Sequence, residues 1–369
     1  MKASFFNPTV LPAILAVALP LAARAQDTTN VAGFALEENP PELLNKVSLS
    51  YRMGLNITVD FKRLGGFPAI SDPGPATGST FNRNYDNGSY NRVDISGNNG
   101  GTTWYWGYQN ASQLQGNSLV MESSSSPNNA VSKNNDNDPQ HGFEASYSRQ
   151  LYRHKNLRFG VEAAFGYALV DASDSRTLFA RVDRIIDNFA IPGGVNVVPA
   201  APYHGTFEGP GALLSSSPVR NTTVISRDAI IMGQRQIDSD IFTLRLGPYM
   251  EVPVYKNLSF ILSGGLTLVV ADTQFSYRET VTLLDSGEVS GPRSSSGSQT
   301  DFLVGGYVAG SLSYAVTKEI GLFGGVQFQS AGESVTGSQT LNRQSVTHKE
   351  AVLDLGQSVL LVFGVSYSF

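Results

Sequence analysis

The sequence predicts an all-β protein, a closed antiparallel β-barrel that crosses a membrane. Three observations predict it: an apolar leader at the amino terminus, strand-length runs in which apolar and polar residues alternate, and connections between those runs that are alternately very short and very long.

Composition sets the frame. With 41% hydrophobic residues among 369 the chain is too apolar to stay disordered, yet charged residues are only 15%, below the roughly 25% of ordinary soluble domains. The 37 glycines, 20 phenylalanines and 15 tyrosines suit turns and strands better than helices. Net charge is −5, and no basic block exists, which argues against nucleic acid as a partner. The absence of cysteine excludes disulfides, thiolate metal sites and a lipidated cysteine, so membrane attachment has to come from the fold.

The leader has Lys2, an apolar run from Val10 to Leu21, and Ala23-Arg24-Ala25, which has the small-x-small form of a signal-peptidase site. Residues 1–25 are read as a signal peptide and 26–46 as a periplasmic segment, with the barrel occupying 47–369. A membrane anchor retained at the N-terminus is the competing reading, and the short run followed by a cleavage site speaks against it.

Beyond the leader no stretch has the 18 or more apolar residues a spanning helix requires. Alternation takes its place. From Val47 to Phe61 every odd-numbered residue is apolar or aromatic and every even-numbered one is polar or glycine, the period of a strand with one greasy and one wet face. The pattern returns in Val359, Leu361, Phe363, Val365, Tyr367 and Phe369. Six further strands are read at Gly142 to Leu151, Leu157 to Val170, Ile241 to Val252, Leu258 to Val270, Phe302 to Ala315 and Ile320 to Gln329, making eight.

Short connections fall at 152–156, 254–257 and 316–319, and long ones at 62–141, 171–240, 271–301 and 330–356. Short periplasmic turns and long extracellular loops around an even number of strands fit an outer-membrane barrel, with both ends of the barrel on the periplasmic side. The long loops are rich in Asn, Ser and Gly and are expected to bury little. Two contain strand-like pieces, Thr103 to Tyr108 with Ser118 to Met121, and Thr223 to Ile225 with Ala229 to Ile231. These are expected to prolong hairpins beyond the membrane; ten or twelve spanning strands would result if they crossed it instead.

With the apolar phase toward lipid, the other phase fills the lumen. It carries Arg52, Glu144, Arg158, Glu162, Arg245 and Glu251. Eight strands leave an interior just wide enough for side chains, so these charges are expected to pair and plug it. Arg158 and Glu251 stand close to the short turns, where a solvated rim position competes with this. Pro248 cannot donate to a strand ladder and calls for a bulge or a locally unpaired position, while Pro253 ends its strand.

The terminal run Val359-x-Leu361-x-Phe363-x-Val365-x-Tyr367-x-Phe369 resembles the carboxy-terminal assembly signal of bacterial outer-membrane barrels. That resemblance implies the barrel-assembly machinery and periplasmic chaperones as partners, with outer-membrane lipid around the barrel. In size and strand count the chain is similar to small barrels of the OmpA, OmpX or OmpW type. The likeness covers the eight strands and departs in the loops, which are larger here, and in the lack of a peptidoglycan-binding domain after the last strand.

Catalytic signals are weak. Of the four histidines, His154 falls in a short turn and His141, His204 and His348 lie in or beside the long loops, none within a recognisable motif. The expectation is a protein that is not an enzyme and needs no cofactor or metal. Asn134 to Asp138 offers oxygen ligands without the glycine and distant glutamate of a dedicated calcium loop, and Asn221-Thr222-Thr223 and Asn257-Leu258-Ser259 match a glycosylation pattern that carries no weight in a bacterium. Trp104, Tyr105, Trp106 and Tyr108 are read either as an aromatic platform for an extracellular ligand or, preferably, as rings stacked across a hairpin. Two functions remain beside the favoured plugged barrel with working external loops: a channel for small solutes or hydrophobic compounds, and a lipid-modifying enzyme or protease.

Overall fold

The computed structural model describes residues 44–78, 81–92, 101–135, 139–193, 197–205, 211–342 and 345–369. The leader at 1–25, most of the 26–46 segment and Asp136 to Asp138 lie outside the described residues. Among those described, no helix is long and apolar enough to cross a membrane.

Eight strands make the barrel: β1 (Asn45–Leu55), β2 (Gln140–His154), β3 (Leu157–Asp174), β4 (Val219–Tyr255), β5 (Leu258–Leu283), β6 (Val289–Ala315), β7 (Ile320–Ser330) and β8 (Ser358–Ser368). Each pairs antiparallel with its neighbours in that order, and β8 returns to β1 through ten pairs from Lys46↔Ser368 to Leu55↔Val359. Phe369 and Asn45 exchange backbone hydrogen bonds at the seam. The sheet is therefore closed at eight strands, and none of the additional strand-like pieces adds a ninth strand to the ring. Closure matters physically because hydrocarbon offers no partner to an unpaired backbone edge.

The outer wall is apolar in every strand. Leu266 is 68% exposed, Phe302 70%, and Phe363 54%, with Leu49, Val161, Leu262, Val308, Leu322 and Phe328 in the same outward phase. Aromatic side chains mark both ends of this band: Tyr51, Phe143 and Tyr167 toward the outside, Tyr255, Tyr314, Tyr367 and Phe369 toward the short turns. An apolar girdle with aromatic margins is the surface of a protein solvated by a bilayer, and this protein is an outer-membrane-type β-barrel.

Pro248 lies in β4 at the locally unpaired position the sequence requires. It faces Val161 on β3, but toward β5 the pairing skips from Leu246↔Leu266 to Tyr249↔Ser263. The gap is flanked by Gly247, Gly264 and Gly265, where backbones come so close that a Cβ on Gly247 would lie 2.1 Å from the Gly264 carbonyl oxygen.

Two expectations are corrected. First, most of the long loops are not loops. β4, β5 and β6 run far past the expected ends at Ile241, Val270 and Phe302, so that 271–301 is largely a hairpin continuing the barrel wall, turning at Leu284–Glu288. Thr223 to Ile225 and Ala229 to Ile231 belong to one strand and do not pair with each other; both pair with Leu178–Ala190, which pairs in turn with Ser118–Ser125. Hydroxyl-rich composition hid this, because Ser and Thr serve an exposed strand face as readily as a loop.

Second, the alternation from Val47 to Phe61 is not one strand. β1 stops at Leu55, Asn56 adopts φ 59°, and a new strand, Thr58–Leu64, begins. Val47, Leu49 and Tyr51 are exposed, whereas Ile57, Val59 and Phe61 are buried. Thr58–Leu64 belongs to a four-stranded sheet with Ala130–Asn135, Ser345–Asp354 and Glu333–Asn342. That sheet packs Val59, Phe61, Ala351 and Leu353 against Ile237, Phe275 and Tyr277 from the inward faces of β4 and β5. Phe61 and Phe275 stack with centroids 5.8 Å apart. The chain's largest apolar core thus lies in an external tower, at about 1.5–3 kcal/mol for each fully buried large side chain. Two smaller clusters continue it outward, one around Val182 and Ile231 and one around Trp106, Leu119 and Phe189.

Candidate functional site: the charged lumen and the tower

Four inward-facing charges from four consecutive strands meet in the lumen. Arg245 on β4 grips Glu144 on β2 through two nitrogens on one edge of its guanidinium, Nη2 to Oε1 at 2.5 Å and Nε to Oε2 at 3.0 Å. Arg52 on β1 reaches the same carboxylate at 3.2 Å, and Glu162 on β3 lies 3.5 Å from Arg245 Nη1. The forked geometry suits arginine, and two cations against two carboxylates leave the group neutral.

Strand register makes room for these side chains. Gly142 stands opposite Arg52, Gly166 opposite Glu144, and Gly247 opposite Glu162. At Gly166 a Cβ would sit 2.3 Å from Arg52 Nη1, so the guanidinium lies across a surface only glycine supplies. Tyr307 on β6 closes the other side, its ring 4.4 Å below the Arg245 guanidinium. Between this network and the periplasmic mouth lies a cavity of about 70 Å³ lined by Ser48, Ser148, Ile261, Ser263 and Phe323 among others, room for a few waters.

The six charged residues singled out in the sequence divide into two groups. Arg158 and Glu251 do not reach the central network. They pair with each other at 3.1 Å at the periplasmic end, where Lys46 joins Glu251 at 3.3 Å and Arg158 is substantially exposed. Lys46 falls outside the first strand as the sequence bounds it, because that strand begins at Asn45, two residues before Val47; its even-numbered phase is that of Arg52. Tyr249 and Tyr307 share the inward phase, Tyr249 with Arg245 and Glu251, but an aromatic ring suits a lipid-facing margin as readily as a lumen, so residue type does not single them out.

The tower has its own buried charges, in stretches the sequence assigns to loops. Glu279 on β5 accepts from Arg293 at 2.9 Å and Lys349 at 2.6 Å, and Gly65 closes the cluster with its N–H on Glu279 and its carbonyl on both cations. Asp174 and Arg235 pair at 2.8 Å, both buried. Burial pushes the Lys349 ammonium down to about 8, against the pull of Glu279. At the tip, buried Asp187 accepts from Nε and Nη2 of Arg220, one edge of the guanidinium, and from the Tyr85 hydroxyl.

The four aromatics at 104–108 do not share an exposed face. Trp106 and Tyr108 are fully buried in the outermost cluster, with the indole N–H donating to the Ala212 carbonyl and the phenol to that of Pro199; Trp104 and Tyr105 are half-buried. A four-ring platform is thereby corrected to a core: Trp106 and Tyr108 pack with Tyr90, Leu119 and Phe189, and Trp104 and Tyr105 precede their strand. Phe363, Val365, Tyr367 and Phe369 all point outward, into the apolar band. His141 faces outward and hydrogen-bonds to the Tyr51 hydroxyl, and His154, His204 and His348 are exposed. No group of three or more metal-ligating side chains occurs among the described residues.

No family model and no curated protein sequence matches the chain. Among solved structures it is similar to the attachment invasion locus protein Ail of Yersinia pestis (8% identity, TM-score 0.27, covering 89% of this chain and 100% of that one). It is also similar to the outer membrane protein OprG of Pseudomonas aeruginosa (9%, 0.30, 89% and 99%) and the outer membrane protease OmpT of Escherichia coli (10%, 0.30, 88% and 97%). Likeness at this level bears on no particular activity.

Proposed function

We propose that this protein is a non-enzymatic outer-membrane barrel whose lumen is closed by its own side chains, and whose external tower serves as surface structure or contacts an extracellular ligand or partner. The observation that carries the reading is the Arg52–Glu144–Arg245–Glu162 network, which occupies an interior that eight strands make narrow. Opening a passage would separate Arg245 from its carboxylates and strand buried charges, at a cost of several kcal/mol. A tower with its own apolar cores is rigid enough to present a fixed surface, unlike free loops.

Single-channel recording in planar bilayers tests this. The wild type is expected to show no discrete conductance, and reproducible open levels would defeat the closed-lumen reading. Turnover of lipid A and of peptides is expected to be unaffected when His141, His204 and His348 are replaced in turn.

One observation favours the second reading, a path for hydrophobic compounds. A groove of about 640 Å³ indents the wall at the outer ends of β7 and β8 and the adjoining middle stretch of β6, with Val308, Phe328 and Val359 on its outer side and Tyr307, Gln329 and Ser358 on its inner side. Uptake of a hydrophobic dye into vesicles, abolished by filling the groove with Gly306→Trp, would favour it. The partners proposed for biogenesis are the assembly machinery and periplasmic chaperones, reading the outward row ending in Phe369; Phe369→Ser is expected to lower the amount of assembled barrel without changing its fold once inserted.

A further inference from the structure

The tower ends in a sheet of three long strands, the outer part of β4, Leu178–Ala190 and Ser118–Ser125, with the two-residue strand Leu114–Gln115 paired to the start of the last, and its two edges differ. Along the Ser118–Ser125 edge the backbone is capped. Asp86 N–H donates to the Glu122 carbonyl at 2.8 Å, Glu122 N–H to Asn87 Oδ1 at 2.9 Å, and Ser124 N–H to Asp86 Oδ2 at 2.6 Å.

The opposite edge is the stretch Val219–Ile225 of β4. Its ladder with β5 ends at Ala229↔Leu283, and the chain then bulges at 226–228, where Arg227 takes φ 62° and lies over the Phe179 ring at 4.2 Å. Outward of that bulge, Val219–Ile225 pairs with Leu178–Ala190 on one side, and among the described residues no backbone group binds its other side. The seven residues, Val-Arg-Asn-Thr-Thr-Val-Ile, contain no proline, lysine, glycine or acid, the devices that normally blunt an edge. Arg220 is occupied by Asp187 and by the carbonyls of Pro73 and Gly74, so it does not screen the edge. Val219 and Val224 are exposed.

We infer that Val219–Ile225 is a docking edge for an extended segment of another protein, about seven residues long and without proline where it faces the edge, because the free N–H and C=O groups of this stretch need main-chain donors and acceptors opposite them, and it would add to the sheet as a further strand. Seven residues span roughly 24 Å of ladder, enough for main-chain hydrogen bonds to provide most of the affinity. The geometry disfavours a second copy. Two copies in one bilayer run in the same direction, and a two-fold axis along the membrane normal brings like edges together, whereas a parallel ladder joins unlike edges. A free peptide segment has no such restriction. The inference rests on the tower being the part that makes contacts, and it stands whether or not the lumen conducts.

The test uses the full protein in lipid nanodiscs and a displayed library of random dodecapeptides. In the free protein, alternate amides of Val219–Ile225 are expected to exchange with deuterium rapidly, the others being held by Leu178–Ala190. Peptides selected on the nanodiscs are expected to slow those same amides at least tenfold and to lose binding when N-methylated at alternate positions. Slow exchange of the whole stretch in the free protein, failure to select any binder, selected peptides that leave these amides unprotected, or cross-linking of two copies through this strand would each overturn the inference. Conductance recorded on the same preparation reports separately on the closed lumen.

Discussion

The barrel and the tower share the long strands β4 and β5 but put their greasy side chains on opposite faces, Leu246 and Leu266 outward in the barrel and Ile237 and Phe275 inward in the tower. Within the membrane Val47, Leu49 and Tyr51 point out and Arg52 points in; a few residues further along the chain Ile57, Val59 and Phe61 point in. The switch occurs at Asn56, whose positive φ inverts the phase and whose side-chain amide donates to the Gln357 carbonyl. The solvent explains the exchange. Lipid rewards greasy side chains on the outside and leaves the polar phase to fill a narrow lumen, while water on the outside of the tower drives the greasy phase inward. Both regions keep ion clusters at the centre, Glu144 with its arginines below and Glu279 with Arg293 and Lys349 above.

The comparison can be broken most forcefully at the two centres. Glu144→Ala leaves Arg245 and Arg52 buried without their shared carboxylate and is expected to destabilise the barrel by about 3–5 kcal/mol, read by urea titration in lipid vesicles. Phe275→Ala is expected to cost about 3–5 kcal/mol as well, but in the tower alone. Protease susceptibility should rise at 289–301 and 333–354 while the gel mobility of the folded barrel stays unchanged; a shifted barrel would show that the two regions fold as one.

Solvent identity is tested by one substitution made twice. Leu266→Arg, on the lipid side, is expected to cost about 2–4 kcal/mol, whereas Val289→Arg, comparably exposed on the tower, should stay within about 0.5 kcal/mol of wild type. Equal costs would mean that the band around Leu266 is not in lipid.

The Lys349 shift gives a pH signature of similar size. Its ammonium titrates near 8 in the folded tower against 10.5 when free. Between those values the unfolded tower holds more protons, so stability rises with pH across that window and the penalty is fully present below it. The total is roughly 3 kcal/mol, seen by hydrogen exchange as the difference between wild type and Lys349→Met. The smallest effect belongs to the periplasmic rim, where Arg158→Ala should cost less than about 1 kcal/mol because the ion pair is partly solvated.

Legibility in the sequence followed the strength of the periodic signal. The eight spanning strands were readable, because lipid on one side imposes strict alternation, and so were the short turns and the unpaired position at Pro248. Arg52, Glu144, Glu162 and Arg245 stood out as charges in the inward phase. Glu279, Arg293 and Lys349 did not, since their strands carry hydroxyl-rich outer faces that look like loops, as in Arg293 to Gln299. Trp106 and Tyr108 were visible as aromatics but not as a core, because burial depends on partners as distant as Phe189 and Leu214.

By itself the sequence determined the period of each strand and hence which residues share a face. Those are local properties of the pleat. Only the tertiary structure decided which face looks toward lipid, water or core, which charges meet, and where strands continue past the membrane. A period of two is the same on either side of Asn56, and the direction in which it points is set by residues hundreds of positions away.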